Sequence, residues 1–155
     1  MVNYSLLEKQ LFSLMEGSRK PLSVLANASA LLWEALPDIN WAGFYLAQES
    51  VLYLGPFQGK TACTVIPFGK GVCGTAAASG AVQLVPDVHL FPGHIACDSA
   101  SNAESVIPMF VDGTLIGVLD IDSPVKNRFT DDDVQGLSAL CRQIETYATW
   151  QNGLL

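Results

Sequence analysis

Glu104-Ser105-Val106-Ile107-Pro108-Met109-Phe110-Val111-Asp112-Gly113-Thr114-Leu115-Ile116-Gly117-Val118-Leu119-Asp120-Ile121-Asp122 is the stretch on which the fold turns. Two apolar runs of strand length, Glu104 to Val111 and Thr114 to Asp122, flank Asp112-Gly113, a pair that tolerates the positive φ of a tight hairpin turn. Strands joined this closely pair antiparallel. Alternation in the second strand sets Ile116, Val118, Asp120 and Asp122 on one face and Gly117, Leu119 and Ile121 on the other. Closing the hairpin brings Glu104 roughly opposite Asp120 or Asp122, so three acids crowd one end of the sheet.

Upstream, Trp41 to Ala47 and Val51 to Leu54 flank the polar Gln48-Glu49-Ser50 and predict a second hairpin. Thr61 to Ile66 and Val82 to Val85 add two shorter strands. Between them Val72 to Ala78 suits a brief helix, entered through Gly69-Lys70-Gly71 and closed by Gly80. At the N-terminus, Leu6, Leu7, Leu11, Leu14 and Met15 recur at helical spacing up to Gly17, and Pro21 opens a second helix ending before Pro37. At the other end Thr130 caps a helix whose first turn is Asp131-Asp132-Asp133 and whose stripe is Val134, Leu137, Leu140, Cys141, Ile144 and Tyr147. These elements predict an α+β domain spanning residues 1–155. Helices occupy about 5–36, sheet and loops 41–122 and a C-terminal helix 130–152, with about six mostly antiparallel strands and the terminal helices packed on one face.

With 155 residues, half of them apolar, the chain can bury the core of a single domain. A net charge of −7 with only eight Lys plus Arg excludes phosphate-backbone binding, so nucleic acid is not an expected partner. The first residues lack a basic start followed by an apolar stretch, and no apolar run nears the roughly 20 residues that span a bilayer. A soluble, cytoplasmic protein without membrane contact is expected. Its four cysteines should then be reduced at rest rather than form a disulfide framework.

Cys141 lies on the apolar stripe of the last helix, where a thiol acts as a small hydrophobe. Cys63, Cys73 and Cys97 fall at a strand end, a Gly-rich turn and an irregular loop, places where a thiol can be reached. Cys73, near the start of the short helix, can feel unpaired amides that favour a thiolate. The stretch from Pro86 to Asn102 has little periodicity and holds both histidines and Cys97; loops this long in compact domains are often functional. His89, His94, Cys97 and Asp98 offer zinc-type donors, but no Cys-x2-Cys pair exists and the Cys63/Cys73 spacing matches no common zinc pattern. No metal is expected, and both histidines read as loop hydrogen-bonding residues.

The acids admit two readings. Asp120 and Asp122 suit a solvated strand end, since Asp122-Ser123-Pro124 has turn character. If their face is enclosed, repulsion and desolvation raise their pKa values and one holds a proton near neutrality. Thiols beside protonated carboxyls are the parts that sulfoxide reduction needs: a thiolate to attack sulfur, an acid to protonate the leaving oxygen and a second thiol to form a disulfide.

At this point the chain resembles the free methionine-(R)-sulfoxide reductases, which are stand-alone GAF domains. The resemblance rests on Gly69-Lys70-Gly71-Val72-Cys73-Gly74-Thr75-Ala76, Val85-Pro86-Asp87-Val88 and His94-Ile95-Ala96-Cys97-Asp98. Ser101-Asn102-Ala103-Glu104-Ser105-Val106-Ile107-Pro108, Leu119-Asp120-Ile121-Asp122-Ser123, Trp41-Ala42-Gly43-Phe44-Tyr45 and the three-cysteine spacing also fit. It implies Cys97 as nucleophile, Cys73 as the usual resolving thiol and Cys63 as an auxiliary one. It further implies that Glu104, Asp120 and Asp122 bind and polarise the sulfoxide while Trp41 and Tyr45 wall the methyl-thioether end. No bound cofactor, regeneration by thioredoxin or a similar dithiol, and a homodimer are implied as well. Two rival readings stay open: a GAF module that binds a small molecule without chemistry, and a redox switch whose disulfide is itself the signal.

Overall fold

A computed structural model of the chain describes residues 1–94 and 100–155, so Cys97 and Asp98 lie outside the described residues. Helix α1 (Tyr4–Met15) begins where the Asn3 side chain accepts the Leu6 amide at 3.0 Å, and α2 (Pro21–Ala35) begins on its proline. Strands β1 (Trp41–Gln48), β2 (Val51–Gly59) and β3 (Val65–Pro67) come next. The short α3 (Gly71–Ser79) then leads to β4 (Gln83–Val85) and a 3-10 turn at Val88–Leu90. Hairpin strands β5 (Ala103–Val111) and β6 (Thr114–Ser123) precede α4 (Asp131–Tyr147) and a last 3-10 turn at Trp150–Asn152. Among the described residues, no helix is long and apolar enough to cross a membrane.

The six strands form one antiparallel sheet in the order β3-β2-β1-β6-β5-β4, so the expected α+β architecture is the one adopted. Asp112 (φ 51°) and Gly113 (φ 78°) make the expected hairpin turn, and Thr130 with Asp133 forms a reciprocal cap on α4. On one face Phe44, Ile107, Leu119 and Ile121 meet Leu11, Leu25, Leu32, Leu137 and Ile144 of the three long helices. Each such side chain contributes roughly 1.5–3 kcal/mol on full burial. The other face packs α3 through Val72, Ala76 and Ala77 against Tyr45, Val85, Val106 and Val118.

Four expectations need correction. The third strand is only Val65–Pro67, because the Lys60 and Cys63 carbonyls accept from side chains of β1 instead of a ladder. β2 continues past Gly55-Pro56 to Gly59; the pairing slips between Gly43 and Tyr45, so Pro56 faces no ladder acceptor it would have to donate to. The last helix stops at Tyr147 rather than 152: Ala148 is extended, and the Thr149 amide donates to the Arg19 carbonyl at 2.8 Å, drawing the chain away. Ile116 packs on the helix face, not with Val118, because the β5–β6 register shifts at this level, where Met109 pairs Gly117 but Phe110 pairs Leu115. Gly117 permits the slip, since a Cβ there would overlap the Tyr45 carbonyl.

Candidate active site

Register places the acids. Glu104 pairs with Asp122 across β5–β6, and Trp41 pairs with Asp122 across β1–β6, so one row of the sheet reads Trp41, Asp122, Glu104 and then Val85 of β4. One row further on, Asp120 lies between Gly43 and Val106, and beyond it Val118 pairs with Tyr45. The α3 N-terminus covers these rows, and the space left is a cavity lined by Trp41, Tyr45, Cys73, His94, Glu104, Asp120 and Asp122, with Lys70 and Ser101 also on its wall. The acids expected to meet at one sheet end therefore do so, and the enclosed alternative holds: Glu104 is 6% exposed and Asp120 5%.

Burial dominates the electrostatics. Desolvation, then repulsion from Asp120 and Asp122, holds the Glu104 carboxyl well above the usual range. Desolvation also raises Asp120, although the neighbouring Glu104 and Cys73 side chains pull it back. Both carboxyls of this pair are thus pushed upward, Glu104 by burial and by its acidic neighbours together, and their titrations depend on each other. Among the described residues nothing donates to the buried Asp120 Oδ1, an open acceptor on the cavity lining.

Cys73 differs from expectation. It is buried at 5% exposure, its Sγ donates to Glu104 Oε2 at 3.7 Å, and burial followed by the charges of Asp120 and Glu104 pushes the thiol up instead of toward a thiolate. The amides of the α3 N-terminus are outweighed by burial and by three acidic neighbours, Asp120, Glu104 and Asp122. Cys73 and Cys141 are free thiols, whereas Cys63 is disulfide-bonded, against the expectation of four reduced cysteines. Cys141 is in the helix-side core as anticipated. Cys97 falls outside the described residues.

Trp41 and Tyr45 build the aromatic wall. Their rings stack at 5.7 Å, Trp41 also stacks on Phe57 at 5.1 Å, and both polar ends hold the loop carrying Cys63. The indole N–H donates to the Lys60 carbonyl at 3.1 Å and the Tyr45 hydroxyl to the Cys63 carbonyl at 2.9 Å. An apolar, polarisable group fits against this wall while a polar atom reaches the acids.

The histidines separate. His89 is exposed, with Nδ1 2.8 Å from Asp87 Oδ1, as a loop hydrogen-bonding residue should be. His94 is not: its Nε2 stands 3.9 Å from Glu104 Oε1 inside the cavity wall. Reading the sequence missed this; the available signal was its place three residues before Cys97 in the long loop. Among the described residues, the donor set within 4.8 Å that could hold a metal is Cys73, Glu104 and Asp120; of the set weighed from the sequence, Cys97 and Asp98 lie outside those residues.

Known proteins resemble this one over nearly its whole length. Residues 21–147 match the model of the GAF domain family. The chain is 58% identical over 142 residues to the free methionine-R-sulfoxide reductase of Escherichia coli, covering 92% of this chain and 86% of that one. It superposes on fRMsr of Staphylococcus aureus in complex with substrate with a TM-score of 0.91 and 50% identity, covering 96% of this chain and 97% of that one. The free methionine-R-sulfoxide reductase of Neisseria meningitidis in complex with its substrate gives a TM-score of 0.89 at 43% identity, over 93% of this chain and 87% of that one.

Proposed function

Since the chain belongs to the free methionine-R-sulfoxide reductases of the GAF domain family, we propose that it reduces free L-methionine (R)-sulfoxide to methionine with its own thiols. The observation that carries the reading is a buried carboxyl, Glu104, held well above the usual carboxyl range beside an open Asp120 acceptor and a stacked aromatic wall. A thioether lies against Trp41 and Tyr45, and the sulfoxide oxygen takes the Glu104 proton while Asp120 and Asp122 orient it. A small walled cavity suits a free amino acid better than a residue in a chain, which would need an exit for its flanks.

The Cys97 thiolate attacks the sulfoxide sulfur, the oxygen is protonated by Glu104 and passes to Cys97, and methionine leaves with Cys97 as a sulfenic acid. A second thiol then displaces that oxygen as water and closes a disulfide. The family resemblance names Cys73 for this step. The disulfide at Cys63 favours Cys63 instead, and the buried, upshifted Cys73 is a poor attacking thiol. Thioredoxin or another dithiol restores the thiols, and a homodimer belongs to the same reading.

The test is methionine release with dithiothreitol as reductant and each epimer of free L-methionine sulfoxide, with a sulfoxide-containing peptide as control. Turnover of only the free R epimer is expected; none on either epimer would overturn the proposal in favour of a binding module. Cys97→Ser should abolish turnover. With thioredoxin as donor, the variant lacking the resolver should stall after about one methionine per chain, so Cys63→Ser and Cys73→Ser decide between the two thiols.

A further inference from the structure

The proposed reaction withdraws one proton from Glu104 in every cycle. A carboxyl on a side chain exposed by only 8% does not exchange freely with solvent, so the proton must return through a neighbour. Asp120 is as buried as Glu104, and the Tyr45 hydroxyl is engaged with the Cys63 carbonyl and held far above the ordinary phenol range by burial. His94 is the imidazole in the lining among the described residues, with its Nε2 3.9 Å from Glu104 Oε1 and its side chain 16% exposed, twice the 8% of Glu104.

We propose that His94 is the relay that reprotonates Glu104 between turnovers, a positioning residue acting through the acid and not on the substrate; this rests on the reductase reading above. After methionine and the Cys97 sulfenic acid have formed, Glu104 is a carboxylate. His94 Nδ1 takes a proton from solvent as Nε2–H passes its own to Oε1, so the imidazole ends neutral and the carboxyl protonated, and exchange with solvent returns the ring proton to Nε2 before the next cycle. The gap exceeds a hydrogen bond by about 1 Å, which a side-chain rotation closes. The groups facing His94 are Glu104 on β5, Asp120 and Asp122 on β6, Lys70 before α3 and His89 on the 3-10 turn. Burial, then the charge of His89, lowers the His94 pKa, so the imidazole releases a proton readily.

The experiment compares full-length wild type, His94→Ala and His94→Gln turning over free methionine (R)-sulfoxide with dithiothreitol, with and without added imidazole. Both variants should lower kcat about tenfold, less than loss of the acid itself, with KM within about twofold. Rapid quench should show the first methionine per chain released at the wild-type rate, and imidazole should recover most of the steady-state loss in His94→Ala. An unchanged kcat, a slowed first turnover, or a loss that imidazole leaves in place would overturn the inference. A wild type that reduces neither epimer removes the reductase reading and the relay with it, whereas an active wild type with indifferent variants removes the relay alone. His94→Gln, closer in size to histidine, keeps the comparison open if His94→Ala unfolds.

Discussion

The two faces of the sheet are built from the same strands and do opposite things. On β1, Phe44 enters the helix-side core while its neighbour Tyr45 walls the cavity; on β6, Leu119 and Ile121 enter the core while Asp120 and Asp122 face the site. Three long helices cover the first face, whereas among the described residues the nine-residue α3 and the short 3-10 turn lie over the second. Residues one position apart therefore either stabilise the fold by burial or burden it with buried acids and thiols. Because side chains alternate with period two, a strand can place a stable core behind a costly site without a separate scaffold.

The contrast predicts that substitutions on the two faces separate stability from turnover. Phe44→Ala should give the largest change, a loss of about 3–5 kcal/mol measured by urea unfolding, with kcat per folded molecule near wild type. A mild loss would mean that the helix side is not the main source of stability. Glu104→Gln should behave in reverse: kcat falls about a hundredfold to a thousandfold while the fold is kept. Equal activity would remove Glu104 as the proton donor.

A pH series sharpens the same point. Burial raises the pKa of Glu104 and Asp120, so the folded state binds these protons more tightly than the unfolded chain. The stability they contribute is fully present below the ordinary carboxyl range near about pH 4 and is lost as pH rises toward their folded values. Glu104→Gln escapes part of that loss. Its Tm should gain on wild type by at least about 3 °C between roughly pH 5 and pH 8 in differential scanning calorimetry, about the effect of 1 kcal/mol in a domain of this size. A constant difference would mean that the acid cluster does not burden the fold.

The smallest expected effect is at Cys141, buried at 2% on the helix side. Cys141→Ala should cost about 1 kcal/mol and leave turnover and its thiol dependence unchanged, since the site draws nothing from that face. Lost activity there would blur the division between the faces.

What the sequence determined by itself is everything governed by local period and local turn chemistry. The Asp112-Gly113 turn, the Thr130 cap, the apolar stripes of α1, α2 and α4, and the gathering of Glu104 with two aspartates all follow from spacing over a few residues. Tertiary structure alone decided what depends on neighbours far along the chain. The register of β1 against β6 set Trp41 beside Asp122, and the slip at Ile116 moved that side chain to the other face. The covering of the acids by α3 turned Cys73 from an expected thiolate into a buried thiol, because desolvation is a property of the assembled environment and not of the helix end that the sequence displays. His94 entered the site for the same reason: its approach to Glu104 is set by the assembled sheet and not by local spacing.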